Sequence, residues 1–261
     1  MFIHSFIRAF HCEWLKRKRS FASAMVLGGS LFTPAIIIAV RLFHWRALPK
    51  LYALEAFWPT LWRDSWESMA IFFLPLGAIM ATSLITQIEF KSNAWKQVHA
   101  LPLSTAVIFF SKLAVIVVML IQFLLLFNAG IYLSGVIPSL LPGVPHPKDA
   151  FLALPLLREN GFYFIDCLPI VAAQYLMALR SNNVLIPIGI GFMAWVGALA
   201  AVSSKYAIWW PYAYTIINYL KDKPKGAALA AHGEFHLLAV IAFLLLTGVS
   251  YAMFVTKQEK G

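Results

Sequence analysis

Apolar residues along this chain gather into six long runs separated by shorter polar segments. The runs cover roughly 21–43, 69–88, 113–135, 162–179, 185–203 and 237–255. A helix rises about 1.5 Å per residue and the hydrocarbon core of a bilayer is about 30 Å thick, so about 20 apolar residues suffice to cross it. Inside lipid each peptide group must bond within its own segment, which makes helix the expected form. Ahead of the first run, Phe2, Ile3, Phe6, Ile7, Phe10 and Trp14 recur at helical spacing, while Arg8, His11, Lys16 and Lys18 take much of the remaining surface. That pattern predicts a helix lying in the membrane interface. The expected organisation is an all-α membrane protein, with a cytoplasmic interfacial helix over 1–20 and a six-span transmembrane domain over 21–261.

Composition supports this and narrows the class. The chain is 61% hydrophobic and only 12% charged, against about 45–50% and about 25% in soluble domains. A soluble fold of this length could not bury that much apolar surface. Cys12 and Cys167 lie before the first run and inside the fourth, which is no disulfide framework.

Charge orients the chain. Arg8, Lys16, Arg17, Lys18 and Arg19 precede the first span against one acid, Glu13. By the positive-inside rule that end stays in the cytoplasm, and six spans return the C-terminus to the same side. The connections 89–104 and 180–184 then face the cytoplasm, and 44–68, 136–161 and 204–236 face outward. The net charge of +10 reads as orientation and contact with anionic lipid, with no nucleic-acid partner. Trp45, Trp58, Trp62 and Trp66 crowd one outer connection, and Trp209, Trp210, Tyr212 and Tyr214 another. Aromatic rings favour the headgroup level, so both connections are expected along the membrane surface.

Catalytic chemistry is not legible. There is no phosphate-binding G-x-x-x-x-G-K-[ST], no H-E-x-x-H, no G-x-S-x-G and no Cys-x-x-Cys. No catalytic, cofactor or metal residue is therefore assigned. Lys112 lies just inside the third span and is expected to snorkel to the headgroups. Asp166, near the outer start of the fourth span, reads as a hydrated polar helix start, although an intramembrane carboxylate is also a functional candidate. His232, Glu234 and His236 form an H-x-E-x-H run, but Gly233 interrupts it and no third ligand is evident. Pro34, Pro75, Pro169 and Pro187 could kink their spans, with no charged residue beside them. Any energy source for transport is expected to come from elsewhere.

Two segments carry a resemblance. Glu13-Trp14-Leu15-Lys16-Arg17-Lys18-Arg19-Ser20 leads directly into an apolar span. Gln87-Ile88-Glu89-Phe90-Lys91 is followed by Ala94-Trp95-Lys96-Gln97-Val98-His99-Ala100-Leu101-Pro102-Leu103-Ser104 before the third span. These resemble the opening and the cytoplasmic coupling segment of ABC-2-type permeases. Trp209-Trp210-Pro211-Tyr212 is similar to that family's outer aromatic-proline loop. The closest pattern is that of the small six-span permeases of lantibiotic immunity and bacitracin export systems. The basic stretch Lys221-Asp222-Lys223-Pro224-Lys225 departs from them.

The resemblance implies an ABC-2 exporter-like fold in the inner membrane of a bacterium. It implies a cytoplasmic ABC ATPase dimer that binds the ATP, and a second permease copy, identical or paralogous. Glu13 and Lys16 would belong to the N-terminal platform, and Glu89, Trp95, Lys96, Leu101 and Pro102 to the coupling segment. The cargo it suggests is an antimicrobial peptide or lipid-like molecule. The composition of 89–104, an aromatic with alternating charge and a Leu-Pro break, independently suits docking against a partner. Two other readings stay open: a non-transporting membrane assembly or signalling component, and a membrane enzyme built on Asp166 or the 232–236 run.

Overall fold

The structure, a computed structural model, describes residues 2–18, 20–54, 56–88, 103–147, 153–221 and 235–258. Among these residues the regular elements are helical, with no strand. Helix α1 (Phe2–Arg17) meets α2 (Phe21–Phe43) at a corner where Ser20 and Ser23 both donate to the Arg17 carbonyl at 2.8 Å. Those hydroxyls satisfy an acceptor that the end of α1 leaves open. A short α3 (Leu48–Tyr52) precedes α4 (Phe57–Ser68), which passes through a π-turn at Met69–Phe73 into α5 (Leu74–Thr86). Then come α6 (Thr105–Val136), α7 (Ala153–Arg180), α8 (Leu185–Ala201), α9 (Tyr214–Leu220) and α10 (Phe235–Gln258).

Among the described residues, five stretches are long and apolar enough to cross a membrane: Phe21–Phe43, Phe57–Thr86, Thr105–Leu140, Pro155–Arg180 and Phe235–Thr256. The remaining run forms α8, of 17 residues, about 25 Å of helix. Helices α6 and α7 are central. Helices α1, α2 and α5 pack on α6, while α5, α8, α9 and α10 pack on α7. Between membrane helices it is close packing and hydrogen bonding, rather than release of water, that hold the contact. Gly130 of α6 shows the packing requirement, since a Cβ there would lie 2.7 Å from Pro34 of α2.

The second crossing differs from the hydropathy reading. Its apolar run starts at Met69, yet the helix begins twelve residues earlier, at Phe57. Arg63, Asp64 and Glu67 broke the apolar run. They share the exposed side of α4, while Phe57, Trp58, Leu61, Ser65 and Trp66 face inward. Trp58 and Trp66 are therefore core residues, not a surface belt. Trp66 stacks on Tyr163 with ring centres 3.8 Å apart.

The π-turn also has a chemical cause. The α-helical partner of the Ile71 carbonyl would be residue 75, a proline with no N–H. Trp195 of α8 supplies the missing donor, its Nε1 lying 2.8 Å from that carbonyl.

The connection after α8 is the second departure. Instead of lying flat, it folds back into the bundle as a re-entrant hairpin. Two 3-10 turns, Lys205–Trp209 and Pro211–Ala213, run back along α8, with Trp210 Nε1 donating to the Ala194 carbonyl at 2.9 Å. At the tip, Gln174 of α7 donates to the Tyr212 hydroxyl at 2.9 Å. Helix α9 then returns with Tyr214, Thr215, Ile216, Ile217, Asn218 and Tyr219 all buried. Trp209 and Trp210 remain exposed, but Tyr212 and Tyr214 do not.

Candidate coupling site

Two ends of the bundle can be told apart by their contacts. At the distal end, Arg41 donates to the Ser134 carbonyl at 2.8 Å and Tyr52 to the Gly135 carbonyl at 2.7 Å. Burial raises the Tyr52 hydroxyl above its ordinary value, and Arg41 beside it pulls the other way. The α1 end gathers the start of α2, the end of α5, the start of α6 and the ends of α7 and α10.

At the α1 end, the amphipathic helix is held by more than lipid. Its stripe of Ala9, Glu13 and Arg17 turns toward α6, leaving Ile3 and Ile7 exposed. Glu13 pairs with its neighbour Lys16 and also accepts from Lys112 Nζ of α6 at 2.6 Å. Lys112 is only 2% exposed, so it does not reach for headgroups as the sequence suggested. The carboxylate of α1 offered a nearer counter-charge. Four residues on, Arg17 donates to Gln122 of α6 and lies 3.6 Å over the Trp14 ring. Burial pulls its guanidinium below the ordinary value.

The segment joining α5 to α6 starts and finishes on fixed ground. At its root, Gln87 Nε2 donates to the carbonyls of Ala178 at 2.8 Å and Ser181 at 2.6 Å. These are acceptors that the C-terminal turn of α7 would otherwise leave open. At the other root, Ser104 caps α6, its hydroxyl accepting from the Val107 N–H. One turn further on, Tyr175 of α7 donates to the Phe109 carbonyl at 2.9 Å. Phe109 packs against Tyr175, Tyr251 and Phe254, so α10 joins the same knot.

Of the residues expected at a coupling site, the structure brings Glu13 and Lys16 together. Glu89, Trp95, Lys96, Leu101 and Pro102 lie outside the described residues, as do His232 and Glu234 of the histidine run. At this end the structure also places Gln87, Lys112 and Gln122 in contacts between helices that the sequence did not reveal. Gln87 stood inside the quoted motif and was legible as a polar residue closing an apolar run.

Asp166 also departs from its expected place. It is fully buried, not hydrated. Its carboxylate accepts from Asn218 Nδ2 at 2.8 Å and faces His236 Nδ1 at 2.7 Å. It stands one turn from Pro169, so a charged residue does accompany one of the intrahelical prolines. Among the described residues, no group of three His, Cys, Asp or Glu side chains is placed to hold a metal.

A polytopic helical bundle with an N-terminal helix docked on a central span defines an all-α membrane protein. The family model for the ABC-2 family transporter protein matches residues 9–198, from within α1 to within α8. The chain belongs to that family, whose members are transmembrane permeases of ABC transporters that associate with an ABC ATPase. No curated protein matches the sequence.

Proposed function

We propose that this chain is the export permease of a bacterial inner-membrane ABC transporter for hydrophobic or amphipathic cargo, an antimicrobial peptide or lipid-like molecule. A separate cytoplasmic ATPase dimer drives it, and a second permease copy, identical or paralogous, completes the pathway. The α1 end is the cytoplasmic end under this reading, since Arg8, Lys16, Arg17, Lys18 and Arg19 cluster there. The ATPase supplies the nucleotide chemistry; this subunit supplies the moving walls.

The observation that carries the reading is the pinning of both roots of segment 89–102. Gln87 ties one root to the end of α7, and Lys112 ties the helix after the other root to α1. A push on that segment therefore displaces α1, α6 and α7 together, because packed helices shift as rigid bodies. A free connector would absorb the same push. The largely exposed apolar sides of α2, α8 and α10, including Phe32, Ile36, Ile190, Met193, Leu244 and Leu245, offer surface for lipid and for a second copy.

The test is co-purification of the permease with its cassette ATPase, followed by nucleotide turnover and cargo export in proteoliposomes. Glu89→Ala and Gln87→Leu should leave the complex assembled and hydrolysing ATP, while export falls at least about tenfold, the equivalent of 1.4 kcal/mol of lost coupling. Full export by both variants would overturn the reading. So would a purified permease that carries no phosphate-loop ATPase with it.

A further inference from the structure

The buried carboxylate of Asp166 has no part in the coupling site, yet three elements meet on it. Asp166 belongs to α7, Asn218 to the returning arm of the hairpin, and His236 to the first turn of α10. Each carboxylate oxygen serves a different neighbour: Oδ2 accepts from Asn218 and Oδ1 faces His236. Asp166 is 0% and Asn218 1% exposed. Water does not stand ready to replace Asn218 on the carboxylate, whereas the His236 side chain is 24% exposed. Moving the hairpin or α10 alone would strand a buried polar group, which is costly in a low-dielectric interior.

The tip of the hairpin has its own buried tie, Gln174 to the Tyr212 hydroxyl at 2.9 Å, and the contacts of the returning arm beyond Asn218 are more exposed. Tyr219 donates to Glu67 at 2.9 Å, and Lys221 pairs with Glu159 at 2.8 Å with side chains 25% and 35% exposed. Pairs that exposed contribute little. The Asn218 Oδ1 makes no hydrogen bond among the described residues, so the side-chain tie of Asn218 there is its donation to Asp166. His236 is further seated by its ring, which stacks on Phe162 of α7 with centres 4.5 Å apart.

We infer that Asp166 is a latch: it holds the re-entrant hairpin 205–221 closed against α7 and α10, and the distal end opens when Asn218 and His236 leave it together. Asp166 is thereby a positioning residue that acts on the hairpin and touches no cargo. The purpose of the opening rests on the permease reading, but the latch itself can be measured without cargo or ATPase.

Thr215 provides the reporter. It is fully buried on α9, and its hydroxyl makes no hydrogen bond among the described residues, so Thr215→Cys removes an unsatisfied group. In a Cys12→Ser, Cys167→Ala background in lipid nanodiscs, where both membrane faces are open to reagent, labelling by a charged methanethiosulfonate is followed over time. Tyr206→Cys, at an exposed position of the hairpin, and Ile131→Cys, buried in α6, serve as controls in separate proteins. Asp166→Ala and Asn218→Leu should each speed labelling at the Thr215→Cys thiol by about tenfold or more, the scale set by losing a hydrogen bond to a charged group. Labelling at position 206 should be unchanged, and position 131 should stay protected.

Unchanged labelling at position 215 in both variants would overturn the latch. Equal acceleration at position 131 would also overturn it, because the change would then be general loosening. If Asp166→Ala fails to reach the membrane, Asn218→Leu, which keeps the carboxylate and its histidine, decides alone.

Discussion

Replacing Glu13 by glutamine probes what keeps α1 on the bundle. The Glu13 carboxylate stands 2.6 Å from Lys112 Nζ, with side chains 12% and 2% exposed. Glu13→Gln removes the negative charge but leaves a buried ammonium facing a neutral amide. Breaking a buried pair from one side costs about 3–5 kcal/mol. Glu13 is partly solvated and also pairs with Lys16, so a discounted figure of about 2–3 kcal/mol applies, roughly a 30- to 150-fold shift in docking. Lys112→Met should cost less, because it leaves Glu13 near solvent with Lys16 still beside it. The double variant should recover part of the Glu13→Gln loss, a non-additivity of about 1 kcal/mol or more. Limited trypsin digestion reads this directly, since Arg8, Lys16 and Lys18 are exposed cleavage sites on or beside α1. An undocked α1 should be cut about thirtyfold faster, in line with the lower figure. Equal cutting rates in wild type and Glu13→Gln, or strict additivity in the double variant, would refute the reasoning.

Two further predictions concern packing. Gly130→Val should place a side chain into Pro34, whose Cγ lies 2.7 Å from an ideal Cβ, costing about 1–3 kcal/mol of overpacking; a lowered Tm in detergent checks it, and an unchanged one counts against close contact of α2 with α6. Trp195→Phe removes the donor to the Ile71 carbonyl and should cost about 0.6–1.7 kcal/mol, the range for hydrogen bonds between membrane helices. Thermal melts of Trp195→Phe beside Phe192→Leu, which leaves that hydrogen bond intact, would expose an effect due merely to lost aromatic area.

The hydrophobic pattern alone established the class of this protein, because the requirement it expresses is one-dimensional. A run of about 20 apolar residues must be a helix in lipid whatever surrounds it. For the same reason the count of six runs and the amphipathic character of α1 were legible, as was the family, which rests on a local match from residue 9 to residue 198. Where charge interrupts an apolar face the pattern misled. Arg63, Asp64 and Glu67 concealed the first turns of the second crossing, although they occupy only one side of α4.

Polar partners could not be read from the chain at all. Lys112 and Glu13 are 99 residues apart, Arg17 and Gln122 105, and Gln87 and Ser181 94. Each of these groups alone looks solvated or snorkelling, and it becomes structural only when another helix delivers the complementary atom. Asp166 is the clearest case: its neighbours in sequence are largely apolar, and the groups that satisfy it arrive from α9 and α10. Sequence thus decided which segments enter the membrane, because burial in lipid is a property of each segment. Tertiary structure decided which buried polar atoms are paired, because a hydrogen bond needs its two atoms within about 3 Å and only the packed bundle sets that distance.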